Sequence, residues 1–365
     1  MRGGPFVCKE RRQAVTPAIA TMLLLVLVLT ITIIMIIWSL PRIQDMQSDA
    51  SYSQALSYFE AFNSNVNSVS KGNVGDTSTS QLQLTNGDYS IKEGVEYWVM
   101  EYQFSKQYTV LFKDLDDGDN KVVVFSPDDT ISGVEMLNCR VNVSWPIQSD
   151  YAEATQQLIF KSGGGASTVY YFTTEFEINQ AAQFTISYKG QNIAQCWVVA
   201  LDEVGLNLKT VKGGYYLREI NNALTSDYPT ARHVEIGPDF LLNQDTSTCI
   251  ANFVKFKPNG ITSASEGSYS IDLRLKTIGL GDAYARDLRM EITGDYSDVW
   301  YNYFENQFSN FFSGGKKIAF IREAALPGFS GLKLVYMDNG AAQTDNLYHL
   351  KVRISVCEIQ TEVLQ

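Results

Sequence analysis

The stretch AVTPAIATMLLLVLVLTITIIMIIWSL, residues 14–40, decides the architecture of this chain of 365 residues, because its 27 positions contain no charged residue. As an α-helix it would be about 40 Å long, enough to cross a hydrocarbon core of about 30 Å with some tilt. The apolar run is longer than that of a secretory signal peptide, and no A-x-A-like cleavage site follows it. We therefore predict a retained transmembrane helix over residues 13–40, with Trp38 at the membrane interface.

Charge is distributed unevenly around this segment. Residues 1–12 carry a net charge of +3, from four basic residues and one acidic residue, whereas the whole chain carries −11. The basic flank predicts a cytoplasmic N-terminus, with everything after Arg42 outside the cell. The acidic remainder repels nucleic acid, so we expect no nucleic-acid partner.

The helical pattern continues past Pro41, although this proline removes one backbone donor and is expected to kink the helix. Apolar residues recur at helical spacing through residues 41–72, which predicts an amphipathic stalk leading to the next domain. Lys71-Gly72-Asn73 is a stop signal, so the helix is expected to run from about Thr16 to Ser70. The residues of the apolar stripe are Ile43, Met46, Ala50, Leu56, Phe59, Phe62, Val66 and Val69.

Beyond Gly75 the apolar residues alternate, which predicts strands in runs such as VEYWVMEYQF (95–104) and RVNVSW (140–145). We predict a β-rich domain over 73–210, a connection over 211–246 with a short helix around 217–225, and a second β-rich half over 247–365. That half is expected to contain one helix at 296–312, with Trp300 and three phenylalanines on one side. The predicted fold class is α+β, a long N-terminal transmembrane and amphipathic helix that carries a mainly antiparallel β-sandwich ectodomain.

The junction KERRQAVTPAIATMLLL, residues 9–25, resembles the class III signal of archaeal type IV pilins and pilin-like proteins. In that family a prepilin peptidase removes a short basic leader directly before the apolar helix. The resemblance implies a cytoplasmic leader over 1–12 and a cut between Arg12 and Gln13. Pro17, the fifth mature residue, fits the archaeal pattern, whereas bacterial pilins usually have Glu there. The alternative is an uncleaved signal anchor.

Two further segments are similar to parts of large archaeal pilin-like proteins. The stretch from 46 to 94 looks like their transition from helix to sheet. DYSDVWYNYFENQF, residues 295–308, looks like an aromatic helix that they carry late in the ectodomain. The resemblance covers residues 9–90 and, more loosely, about 295–360.

The resemblance implies a non-catalytic pilin-like subunit of an archaeal type IV pilus or related cell-surface assembly. Its partners would be membrane lipid, the prepilin peptidase and other pilin-like subunits. The size of the chain favours a minor or adhesin-like subunit over the main shaft subunit. The alternatives are a lone membrane-anchored extracellular binding protein and, less favoured, an anchored extracellular hydrolase. Ala14 and Ala18 have the small-xxx-small spacing that lets another membrane helix approach closely.

Four of the five cysteines follow the apolar segment. Outside a reducing cytosol they could form two disulfides in three possible pairings, of which we predict Cys139–Cys196 and Cys249–Cys357, with four buried free thiols as the alternative. The chain has no C-x-x-C pair and only two histidines, so a zinc site is not expected. We predict no cofactor.

The stretch DLDDGDN, residues 114–120, is the one acidic cluster that suggests calcium. Its glycine is one position early for an EF-hand and no Glu stands at the twelfth position, so a solvated hairpin turn is the favoured interpretation. The weak metal candidates there are Asp114, Asp116, Asp117 and Asp119. Asn142 begins the only N-glycosylation sequon and lies in a predicted strand. No catalytic motif is present, so we do not predict an enzyme.

Overall fold

A computed structural model of the chain describes most of the N-terminal helix and of the β-rich region. The described residues are 15–84, 87–104, 108–113, 121–127, 136–137, 140–144, 158–159, 168–172, 181–188, 191–210, 213–228, 231–243, 246, 248–265, 267–285, 287–308, 317–326, 329–337 and 350–364. They fall into two compact units. The first contains the chain up to Gln54 with the short segment Thr210–Gly213, and the second contains Ala55–Lys209 and Gly214–Gln365.

Helix α1 spans Val15–Ser70, a single helix of 56 residues that continues through Pro41. It ends at the predicted stop signal, where the N–H of Gly72 donates to the carbonyl of Val69 at 3.0 Å. Gly75 follows with a φ of 101°, a left-handed conformation that glycine adopts without steric cost. The long apolar N-terminal helix is therefore present as predicted.

The remaining described residues are mostly β-strands, with one further helix, α2, at Ser297–Phe308. The strands up to residue 188 are β1 Thr77–Leu84, β2 Gly87–Gln103, β3 Tyr108–Lys113, β4 Lys121–Pro127, β5 Met136–Leu137, β6 Arg140–Ser144, β7 Leu158–Ile159, β8 Thr168–Phe172 and β9 Ala181–Tyr188. The later strands are β10 Gln191–Thr210, β11 Gly213–Ile220, β12 Ala223–Tyr228, β13 Ala231–Ile236, β14 Phe240–Asn243, β15 Thr248–Pro258, β16 Ser263–Ala264, β17 Gly267–Ala285, β18 Asp287–Thr293, β19 Lys317–Leu326, β20 Phe329–Met337 and β21 Leu350–Leu364.

Two large sheets contain most of these strands. The five-stranded sheet has the order β1-β17-β21-β15-β14, and the eleven-stranded sheet has the path β13-β12-β11-β10-β2-β18-β20-β19 with β6, β9 and β16 beside it. The described strand pairs are antiparallel apart from β15 and β21, which run parallel. Each large sheet combines early and late strands, since β1 pairs with β17 and β2 pairs with β18. The predicted halves, 73–210 and 247–365, therefore do not form separate sheets.

The segment predicted as a connection, 211–246, contains the four strands β11 to β14. The prediction of a short helix around 217–225 is wrong, because β11 and β12 form a hairpin there in which Ile220 pairs with Ala223. Asn221 and Asn222 make the turn with φ values of 54° and 62°. Two residues at positive φ match the twist of a tight hairpin, and asparagine tolerates that conformation well.

The core is lined by residues of both large sheets and by α2. Trp98 of β2 lies 6.0 Å from Phe253 of β15 and 5.5 Å from Trp300 of α2, measured between ring centroids. The rings of Phe304 and Phe308 of α2 are stacked, with their centroids 5.8 Å apart. The predicted aromatic side of this helix is thus buried, while the fourth aromatic residue of that prediction, Phe311, lies outside the described residues.

Candidate functional site

The N-terminal part of α1, residues 18–40, exposes its large apolar side chains. Their exposed fractions run from 45% at Ile31 to 72% at Met22. The most apolar window of the helix has a mean hydropathy of 3.0, and none of it is buried. Among the described residues this helix is the candidate membrane span, by length and composition. An apolar N-terminal helix of this kind indicates membrane anchoring at the N-terminus.

The hydroxyl groups in this segment are satisfied within the helix itself. Thr30 Oγ1 donates to the carbonyl of Val26 at 2.7 Å, and Thr32 Oγ1 donates to the carbonyl of Val28 at 2.8 Å. An unpaired hydroxyl is costly in hydrocarbon, so these bonds let threonine stand in a lipid-facing helix.

A cation–aromatic pair marks the C-terminal end of the apolar segment. The guanidinium carbon of Arg42 lies 4.0 Å from the centroid of the Trp38 ring, one helical turn earlier. Tryptophan and arginine are both suited to the boundary between hydrocarbon and water, and they attract each other there.

In the second unit, the last four turns of α1 are packed into the β-rich structure. Phe59, Phe62, Val66 and Val69 are buried, and the Phe62 ring lies 6.3 Å from that of Phe256 on β15. These residues belong to the apolar stripe predicted from the sequence. Residues 55–70 therefore form a helical segment whose packing depends on the hydrophobic contacts of this stripe.

Polar contacts with the β11–β12 hairpin accompany this packing. Asn63 Nδ2 donates to Glu219 Oε1 at 3.4 Å, and Asn222 Nδ2 donates to Asn67 Oδ1 at 3.2 Å. Glu219 is fully buried, and burial raises its pKa to about 8, against the smaller effects of hydrogen bonds from Asn222 and Asn63. The carboxyl group of Glu219 is thus mostly protonated at neutral pH and adds no full charge beneath the helix.

A second polar group, which we term the Arg218 cluster, comprises the buried residues Arg218, Glu96 and Glu203, the half-exposed Lys92 and the partly buried Tyr216. Arg218 is ion-paired with Glu96, and its Nη1 lies 3.4 Å from Glu203 Oε2. Glu203 Oε1 accepts hydrogen bonds from Lys92 Nζ and Tyr216 OH, both at 2.7 Å. The cluster contains two carboxylates and two cations that neutralise one another, which is the arrangement of a structural ion network.

Two indole groups of the core also donate hydrogen bonds to Glu96. Its Oε2 accepts from Trp300 Nε1 at 2.9 Å and from Trp98 Nε1 at 3.2 Å. The Tyr296 ring lies 3.7 Å from the guanidinium carbon of Arg218. Burial acts to lower the pKa of Arg218, but attraction to and hydrogen bonding with Glu96 outweigh it and hold the pKa above its ordinary value. Arg218 is therefore charged in the folded protein.

Several residues singled out in the sequence lie outside the described residues. They are Arg12, Gln13 and Ala14 at the predicted cleavage and packing site, Cys139, and the acidic residues Asp114, Asp116, Asp117 and Asp119. Ala18 is exposed on α1. Asn142 lies in β6, paired in register with Thr185 of β9. Within the described residues, no group of three His, Cys, Asp or Glu side chains is arranged to hold a metal ion.

The predicted bridge between Cys249 and Cys357 is wrong. The parallel register of β15 and β21 sets Cys249 beside Val352 and Cys357 beside Val254. The two cysteines are therefore offset by five residues, about 17 Å along the strands, whereas a disulfide needs Cα atoms within about 7 Å. Among the described cysteines, Cys196, Cys249 and Cys357 are buried free thiols. The second predicted bridge joins Cys196 to Cys139, and Cys139 lies outside the described residues.

Sequence reasoning missed Glu219, Arg218 and the Asn221-Asn222 turn. The two asparagines between alternating residues are a hairpin signal, so the turn was available from the sequence. The burial of Glu219 and Arg218 had no local signal, because it depends on α1 and the core aromatic residues, which are distant in sequence.

Comparison of the chain with protein-family models, with curated proteins and with solved structures found no match. The exposed apolar helix and the strands that follow it define the class, a β-rich protein with an N-terminal helix suited to membrane anchoring. Its particular function is inferred from its residues and their geometry.

Proposed function

We propose that this chain is a non-catalytic, pilin-like subunit of an archaeal type IV pilus or related cell-surface assembly, in a minor or adhesin-like role. The observation that carries the proposal is that two segments of α1 differ in the exposure of their apolar side chains. Residues 18–40 expose an apolar surface, while residues 55–70 bury their apolar stripe in the β-rich unit. One helix thus has a segment for lipid or neighbouring membrane helices and a segment that holds the folded unit.

The junction before the helix supports processing and orientation. A net charge of +3 over residues 1–12 favours retention of the N-terminus in the cytoplasm. Gln13-Ala14-Val15-Thr16-Pro17 stands where the mature N-terminus of an archaeal pilin-like protein would begin. The β-rich unit would then lie outside the cell.

The two large sheets, in this proposal, stack face to face as a β-sandwich. The support is their shared core, in which the rings of Trp98 and Phe253 come from different sheets and lie 6.0 Å apart. Packed sheets are separated by about 10 Å. An experimental structure in which the two sheets do not face each other at about this spacing would contradict the sandwich.

N-terminal sequencing tests the proposal most directly. The full chain is expressed in archaeal membranes with the prepilin peptidase, extracted in detergent and sequenced. We expect a mature chain that begins at Gln13 or within one residue of it. The double variant Arg11→Gln/Arg12→Gln should accumulate unprocessed chain in mixed orientation, because the net charge of residues 1–12 falls from +3 to +1.

The matched control is Arg42→Gln, which removes a basic residue from the other end of the apolar segment and should be processed normally. Recovery of only Met1-containing wild-type protein from these membranes would contradict the pilin-like assignment and favour an uncleaved anchor. A processed chain that co-purifies with no other pilin-like subunit would favour a lone anchored binding protein.

A further inference from the structure

A buried lysine–aspartate pair joins the two large sheets. Lys255 belongs to β15 of the five-stranded sheet, and Asp202 belongs to β10 of the eleven-stranded sheet. Lys255 Nζ lies 3.5 Å from Asp202 Oδ2 and donates to the carbonyl of Ala200 at 2.5 Å. The two side chains are only 6% and 4% exposed, whereas the lysine of the Lys92–Glu203 pair is 56% exposed. This amine and this carboxyl group thus meet where water is largely excluded.

The Asp202 carboxyl group is held at an irregularity between β10 and β2. Leu201 pairs with Glu96 and Glu203 pairs with Lys92, so three residues of β2 stand opposite Asp202 alone. Within them Gly94 has a φ of 61°, and its N–H donates to Asp202 Oδ1 at 2.9 Å. Such bulges redirect individual groups out of the regular ladder. Here the bulge directs a backbone donor at one carboxyl oxygen and leaves the other facing Lys255.

An ion pair is a costly state for these two groups. Removing both charges from water is offset only in part by their mutual attraction. Burial raises the pKa of Asp202 above its ordinary value, although attraction to Lys255 and the hydrogen bond from Gly94 reduce the effect. The protonated form of the Asp202 carboxyl group is therefore closer in free energy to its carboxylate than it is in water.

We propose that Lys255 and Asp202 condense to an intramolecular isopeptide bond between β15 and β10, with release of one water molecule. A proton first passes from Lys255 Nζ to Asp202 Oδ2. The nitrogen lone pair then attacks Cγ, which forms the C–N bond and places negative charge on Oδ1, where the Gly94 N–H already donates. Collapse breaks the Cγ–Oδ2 bond, and Oδ2 leaves as water with a second proton from the nitrogen.

The fold supplies what this reaction needs from its surroundings. Amine and carboxyl group are held together by two sheets, and well-oriented intramolecular groups react with effective molarities of about 10⁵ M or more. The Ala200 carbonyl orients the nitrogen, and the product amide has no charge to bury. The bond would lock one sheet to the other irrespective of whether the N-terminal helix is processed or assembled.

Peptide mapping tests the bond. The full chain, purified in detergent, is denatured, digested with a protease that does not cleave at lysine, and analysed by mass spectrometry. We expect one branched peptide that joins the segments around residues 202 and 255, lighter than the two linear peptides together by one water. Lys255→Arg should give only linear peptides. Lys257 lies on the same strand, and its side chain is 67% exposed. The control variant Lys257→Arg should therefore keep the branched peptide.

Only linear peptides with an unmodified Lys255 from folded wild-type protein would overturn the proposal. Loss of water confined to the peptide that contains Asp202 would also overturn it, because that product is an internal succinimide. The wild-type digest decides the question even if Lys255→Arg fails to fold.

Discussion

At the scale of single residues, the buried charges of this protein are balanced locally. The Arg218 cluster neutralises Glu96 and Glu203 with one arginine and one lysine, while Glu219 is kept neutral by protonation. Both arrangements follow from the high cost of an unpaired charge in a core. They differ in how they respond to substitution and to pH.

Arg218→Met should destabilise the folded state by about 3–5 kcal/mol, because it leaves two buried carboxylates without their shared cation. Chemical unfolding of the detergent-solubilised chain measures the change. Arg353→Met is the matched control, since Arg353 pairs with Asp282 on an exposed strand face and such pairs contribute little. Equal effects of the two substitutions would show that the Arg218 cluster has no special role in stability.

Glu219 should make the stability of the protein depend on pH. Burial raises its pKa from the ordinary 4.5 to about 8, so between these values the folded state holds a proton that the unfolded chain releases. This stabilisation is complete below about pH 4.5 and is lost as the pH rises towards 8, at up to about 1.4 kcal/mol per pH unit. Glu219→Gln keeps the shape and removes the ionisable group, so unfolding free energies measured from pH 5 to 8 should lose this slope.

The groups that face Glu219 do not produce the same dependence of the unfolding free energy on pH. Asn63 and Asn222 do not ionise, Arg218 stays charged, and the pKa values of Tyr89 and Cys357 are raised well above this pH range by burial. Glu60→Gln, at an exposed position of α1, is the control and should leave the slope as in the wild type. A slope that is identical in Glu219→Gln and wild type would contradict the assignment.

At the scale of elements, the packed segment of α1 is stabilised mainly by its aromatic residues. Phe62 is buried and contacts both Phe59 and Phe256. Phe62→Ala should therefore cost about 3–5 kcal/mol in the free energy of unfolding, since it removes a large buried ring and leaves a cavity.

The control for this substitution is Ile43→Ala, at a half-exposed position of the same apolar stripe. It should change the unfolding free energy by much less. Limited proteolysis adds a second measurement, because loosening of residues 55–70 in Phe62→Ala should expose cleavage sites there. An unchanged digestion pattern together with unchanged stability would show that this packing is dispensable.

At the scale of the whole molecule, the proposed assembly depends on close approach of membrane helices. Helices in lipid gain nothing from the hydrophobic effect when they associate, so small residues that permit close packing are needed. Ala14 and Ala18 have this spacing. Ala14→Leu/Ala18→Leu should leave membrane insertion intact but reduce co-purification with other pilin-like subunits.

Ala20→Leu is the matched control, because at about 100° per residue position 20 of an ideal helix points away from positions 14 and 18. It should have little effect on co-purification. Undiminished recovery of partners with the double variant would exclude the Ala14–Ala18 face as the contact.

Features that depend on local composition were predictable from the sequence. The apolar run, the stop at Lys71-Gly72-Asn73 and the alternation in segments such as 95–104 identify the long helix and most of the strands. Hydrophobicity, length and periodicity are properties of consecutive residues, and each corresponds directly to one kind of element. The segment 217–225 also contains a local turn signal, because asparagine tolerates the positive φ values of the hairpin turn at Asn221 and Asn222.

Only the tertiary structure decided which strands are neighbours and in what register. Cys249 and Cys357 lie on adjacent strands but five residues out of step, while Lys255 and Asp202 meet from different sheets. The burial of Glu219 likewise requires α1, more than 150 residues earlier in the chain, to cover it. A local pattern specifies an element, but pairing and burial result from the packing free energy of the whole chain, in which distant residues compete for the same partners.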